Sequence, residues 1–97
     1  MKTLDEIKQI VAQNKDELRR RYKVREVGVF GSYVRGNQKK GSDIDILVDF
    51  DGPVSLLKLV SLENHLADII GASVDVIPKE DVRPELKQTI LREVVYL

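Results

Sequence analysis

Residues 31–45 read Gly31-Ser32-Tyr33-Val34-Arg35-Gly36-Asn37-Gln38-Lys39-Lys40-Gly41-Ser42-Asp43-Ile44-Asp45, a Gly-Ser turn followed by an Asp-x-Asp pair. This stretch decides the fold because it links two short apolar runs through a polar loop. Ahead of it, Val24–Phe30 (VREVGVF) is rich in β-branched residues and stops at the Gly-Ser turn, as a strand does. Gly28 weakens that strand unless another element approaches its backbone closely. Residues 32–36 fit one helical turn, and a polar loop runs from Gly36 to Ser42. Residues 43–50 (DIDILVDF) then alternate with a strand's period of two. Ile44, Ile46, Val48 and Phe50 share one face and predict a core surface. Asp43, Asp45, Leu47 and Asp49 share the other, which is too acidic for a core.

Working outward, Leu4, Ile7, Ile10, Val11 and Leu18 predict one amphipathic helix over residues 3–21. Thr3 and Glu6 supply a capping-box pattern at its start. Leu56, Leu57, Leu59, Val60, Leu62, Leu66, Ile69 and Ile70 predict a second helix over 55–70, which Gly71 terminates. Residues 73–77 (SVDVI) predict a third strand, with Val74 and Val76 on one face, Asp75 on the other and Pro78 closing it. Pro84 suits the first turn of a last helix, to which Leu86, Ile90, Leu91, Val94 and Val95 give a buried side. Tyr96 and Leu97 either pack that helix or face a partner. The order helix, strand, strand, helix, strand, helix predicts an α/β (α+β) fold, a small mixed sheet with helices packed on one face.

The 97 residues fit a single domain spanning 1–97. Apolar residues make up 42% and charged residues 33%, ordinary for a globular chain, and the core must rest on Val, Ile and Leu because only 5% are aromatic. The absence of cysteine excludes a disulfide framework and a cysteine-bound zinc. No apolar run approaches the roughly 20 residues of a bilayer crossing, and the acidic start Leu4-Asp5-Glu6 does not resemble a signal peptide. A cytoplasmic protein is the expectation. The formal net charge is zero, which argues against nucleic acid as a main partner. The basic cluster Lys15, Arg19, Arg20, Arg21, Lys23 and Arg25 reads as a solvated helix end.

Aspartate is disfavoured in strands, so two on one strand face require a cause, and a bound cation is one. Magnesium is typically held by one or two carboxylates together with substrate phosphates. A pair of such ions clamps the attacking and leaving oxygens of a phosphoryl transfer. Asp75, on the neighbouring strand, is the best-placed third acid. Gly31 lets the chain turn sharply so that backbone amides and the Ser32 hydroxyl face an anion. Either element alone fits an ordinary turn or a solvated strand face; together they point to a nucleotide.

The run GSYVRGNQKKGSDIDILV resembles the signature of the nucleotidyltransferase superfamily typified by DNA polymerase beta, and within it the minimal nucleotidyltransferase (MNT) group. The resemblance implies that Gly31 and Ser32 hold the β- and γ-phosphates of ATP, with Arg35 steadying the leaving pyrophosphate. It implies that Asp43, Asp45 and Asp75 are the catalytic acids and the ligands of two Mg²⁺ ions, Asp75 also promoting deprotonation of the acceptor hydroxyl. Lys39 and Lys40 either assist Arg35 or belong to a solvated loop. Tyr33 stands where many members carry arginine. Larger relatives have a further acceptor-binding domain for which this chain has no room, so the acceptor is expected on another molecule. MNT proteins often pair with a HEPN-domain toxin, as antitoxins, in some cases by AMPylation of a partner tyrosine. The resemblance therefore implies an ATP- and Mg²⁺-dependent protein adenylyltransferase acting on a HEPN toxin within a hetero-oligomer. The alternative is a non-catalytic module that masks the same partner. His65, with Lys58, Ser61 and Asp68 on its side of the helix, reads as solvated.

Overall fold

The computed structural model describes residues 2–39 and 41–97. The single helix expected over 3–21 is two helices, α1 (Leu4–Gln13) and α2 (Lys15–Tyr22). The capping box forms as the sequence implied: the Thr3 hydroxyl accepts the Glu6 amide at 3.2 Å and Glu6 accepts the Thr3 amide at 3.1 Å. The break falls at Asn14, whose φ of −112° and ψ of 7° leave the helical region. Its side-chain amide donates to the Ile10 carbonyl at 2.7 Å, the local competition with the helix ladder that makes asparagine a poor interior residue.

Strands β1 (Val24–Phe30), β2 (Ile44–Phe50), β3 (Val74–Pro78) and β4 (Val95–Tyr96) form one mixed sheet in the order β3-β2-β1-β4. β1 runs antiparallel to β2 and β4, whereas β2 and β3 are parallel. The parallel pair needs a crossover, and α4 (Leu56–Ile70) supplies it. Ser55 caps its start by accepting the Lys58 amide at 3.1 Å, and Gly71, at φ 78°, ends it. Ile7, Val11, Leu18, Tyr22, Leu62, Leu66 and Ile70 cover one sheet face and meet Val27, Val29, Ile44, Ile46, Val48, Val74 and Val76 in a single core. The period of two therefore sorted the strand residues correctly, and the expected small mixed sheet with helices on one face is observed.

The C-terminal segment departs from expectation. After the short helix α3 (Ser32–Arg35) and a 3₁₀ turn at Lys79–Asp81, the last helix is α5 (Pro84–Glu93), with Pro84 at its first position. None of its residues is buried; Leu86 is 49% exposed and Leu91 38%. Val94 and Val95 lie beyond it, and Val95–Tyr96 forms the edge strand β4, which no sequence pattern announced. Gly28 explains the docking: a Cβ there would collide with the Val94 side chain and press on the Tyr96 ring. Close backbone approach, one of the two readings open for this glycine, is the observed one. Leu47, opposite Gly28 in register, is buried, so the face expected to be acidic is apolar in that row.

Candidate active site

The acids cluster where β2 and β3 begin, on the face away from the helical core. Asp45 pairs in register with Asp75 across the parallel ladder and with Phe30 across the antiparallel one. Directly opposed residues point to the same side of a sheet, so the two carboxylates are neighbours. Asp43 stands just before β2 and is exposed, as is Asp75, while Asp45 is half-buried. Burial pushes the Asp45 carboxyl above its ordinary pKa, and the charges of Asp75, Asp43 and Glu93 add to that push against the opposing pull of Arg35.

The turn between β1 and α3 lies against these acids. Gly31 has φ 81° and ψ −149°, a region essentially reserved for glycine. A Cβ at this position would also collide with a carboxylate oxygen of Asp45. Two independent constraints thus demand glycine, and the second presses the turn onto the strand acid. Ser32 opens α3 and is half-buried. Tyr33 is only 5% exposed and belongs to the hydrophobic core, so the ring contributes packing rather than a phosphate contact.

Arg35 reaches back across the turn to a residue that the sequence reading missed. Its Nη1 donates to Glu93 Oε1 at 2.7 Å, and the Gly31 amide donates to Glu93 Oε2 at 2.8 Å. Glu93 is the last residue of α5, and its side chain is 16% exposed. One signal was available, because a helix C-terminus disfavours an anion unless something else holds it. Lys39 is exposed, and its amide donates to Ser42 Oγ at 2.9 Å in the loop turn. Lys40, the other loop lysine considered for the leaving charge, lies outside the described residues. His65 is half-buried rather than solvated: it stacks on Tyr22 at 5.5 Å and its Nε2 lies 2.8 Å from Glu17, within the helical layer.

The donor set fits a hard divalent cation of the Mg²⁺ kind. Asp45 and Asp75 repel one another at adjacent register positions, and a cation between them relieves that repulsion. Among the described residues no group of three Asp, Glu, His or Cys side chains is placed to hold a metal ion, so Asp43, Asp45 and Asp75 do not meet as one three-acid site. Two carboxylates are sufficient where substrate phosphates and water complete the shell.

A mixed sheet that sets paired strand acids beside a Gly-Ser turn defines the class of nucleotide-transferring domains. The chain belongs to the nucleotidyltransferase family: the profile described as "Nucleotidyltransferase domain" matches residues 11–97. It is 52% identical over 97 residues to a Thermococcus cleftensis protein named protein adenylyltransferase MntA, covering 100% of this chain and 98% of that one. A solved structure provisionally described as a minimal nucleotidyltransferase superposes with TM-score 0.75 at 31% identity, covering 94% of this chain and 95% of that one. The MNT antitoxin complexed with tri-AMPylated HEPN toxin from Shewanella oneidensis shares the fold, with TM-score 0.66 at 21% identity over 94% of this chain and 67% of that one.

Proposed function

We propose that this chain, acting as a single domain in the cytoplasm, transfers AMP from ATP to a tyrosine hydroxyl of a HEPN-type toxin and thereby serves as its antitoxin. The observation that carries the reading is the register pairing of Asp45 with Asp75 beside the Gly31 turn. The adenylyltransferase name of the Thermococcus cleftensis relative and the AMPylated toxin in the Shewanella oneidensis complex support the choice of nucleotide and acceptor.

In this reading the Gly31 amide and the Ser32 hydroxyl bind the β- and γ-phosphate oxygens, and Arg35 balances the charge that builds on pyrophosphate as it departs. Asp43, Asp45 and Asp75 would hold Mg²⁺, which when bound neutralises phosphate charge and lowers the pKa of a coordinated hydroxyl. The acceptor oxygen forms its bond to the α-phosphorus while the bond from that phosphorus to the bridging oxygen breaks. Asp75, exposed at the rim, takes the hydroxyl proton. Arrangement of two reactants in line accounts for much of such a rate enhancement, which is why the rigid strand ladder under the acids matters.

A second reading, masking without catalysis, is favoured by one observation. Leu56 and Leu57 at the start of α4 are 74% and 82% exposed, a surface suited to a covering partner. Incubation with α-labelled ATP, Mg²⁺ and the protein encoded beside this one separates the two. Label on a partner tyrosine that disappears with Asp45→Asn supports transfer. Neutralisation of the partner without label, undiminished in Asp45→Asn, rejects it in favour of masking.

A further inference from the structure

We infer that the Glu93 carboxylate is a built-in substitute for the triphosphate tail, so that nucleotide enters only by displacing the α5–β4 segment from the turn. The inference rests on the reading of Gly31, Ser32 and Arg35 as the phosphate seat, and it adds regulation to that seat. The two oxygens of one side chain take two of the donors assigned to phosphate, at 2.8 Å from the Gly31 amide and 2.7 Å from Arg35. Phosphate oxygens are acceptors of the same charge and similar reach, so both anions compete for one set of donors.

The contact is poorly suited to a permanent clamp. Glu93 brings negative charge towards Asp45, whose own ionisation it opposes, and it sits at a helix C-terminus. Among the described residues, Gly31 and Arg35 are the donors that compensate. The segment that carries it is lightly held: α5 has no buried residue, and β4 pairs through Gly28 with Tyr96 and Val29 with Val95. One further backbone bond joins the Leu97 amide to the Val27 carbonyl at 2.8 Å. A more strongly held anion at the seat thus removes the strongest polar tie of a weakly packed edge. By linkage, the factor by which Glu93 weakens nucleotide binding equals the factor by which nucleotide loosens the segment.

The test uses the full chain with Mg²⁺ and inorganic tripolyphosphate, which presents the tail without a base. Calorimetry compares the wild-type chain with Glu93→Gln, and hydrogen exchange follows the amides of Val95 and Leu97, the two that face β1, in the wild-type chain alone. The expected results are about tenfold tighter binding by Glu93→Gln, within the usual range of such couplings, and faster exchange at both amides on saturation. Equal or weaker binding by a folded Glu93→Gln overturns the inference and makes Glu93 a structural clamp, while leaving the phosphate seat intact. Should the variant not fold, exchange in the wild-type chain decides: slowed or unchanged amides overturn the inference. Failure of the wild-type chain and the variant alike to bind tripolyphosphate or ATP overturns the phosphate seat and the inference together.

Discussion

Replacement of Gly31 by alanine separates two effects that coincide in this turn. At φ 81° and ψ −149° a Cβ strains the backbone by roughly 1–3 kcal/mol before any contact is considered. The added methyl also drives into the Asp45 carboxylate, which must rotate away from the turn to make room. In a chain of 97 residues the backbone contribution alone lowers Tm by at least about 4 °C. Gly36→Ala gives the milder reference, a left-handed residue at φ 78° and ψ 15° with nothing within 4 Å of an added Cβ, so it lacks both the collision and the more restricted backbone of Gly31. The assay is a double-mutant cycle by urea denaturation, with Asp45→Ala as the second arm. Removal of the carboxylate relieves the collision, so Gly31→Ala and Asp45→Ala together are less harmful than their sum by about 0.5–3 kcal/mol, the range seen for touching residues. Strict additivity, or equal losses for Gly31→Ala and Gly36→Ala, refutes the claim that the turn is pressed onto the strand acid.

Asp45→Asn abolishes label transfer yet stabilises the metal-free fold. The raised carboxyl of Asp45 contributes stability while protonated, and this is lost as pH rises from the ordinary value of 3.8 through the folded pKa. Denaturation in EDTA from acid to neutral pH therefore shows a decline in the wild-type chain that flattens in Asp45→Asn. Gly28→Ala expels Val94 and Tyr96 from the sheet edge, which speeds amide exchange across β4 and spares the core amides of β2. Leu66→Ala, at a side chain with no exposed surface, lowers unfolding free energy by about 2–5 kcal/mol and leaves the site acids in place, as urea melts and residual transfer activity check.

The parts of this protein that could be read from its sequence are those with a local period or a local steric demand. Ile44, Ile46 and Val48 announce their face by alternation, and the same parity carries Asp45 and Asp75 to the other side. Gly71 and the Thr3–Glu6 box mark helix ends because their partners lie within a few residues. Asn14 was harder, since an apolar stripe continues past it and only its side-chain bond to Ile10 shows the break. β4 has two residues, too few for any period to show, and its place depends on the absence of a side chain at Gly28, far away in the chain. Glu93 was missed for the same reason: its partners Gly31 and Arg35 lie 62 and 58 residues earlier, and the one local signal, an acid at a helix C-terminus, does not name them. The apolar residues of α5 suggested a buried side that the fold does not provide, because hydrophobic spacing reports a capacity for packing, not the presence of something to pack against.

The parallel pairing of β2 with β3 also bears on the order of events at the ribosome. Asp45 is made long before Asp75, and the two meet only once α4 has closed the loop between them, a non-local step that local helix formation precedes. A nascent chain that stops short of Val74 holds half of the acid pair and is chemically silent. On the proposed function, competence to bind a cation would arrive together with the completed crossover, and an unfinished copy would not sequester metal or nucleotide.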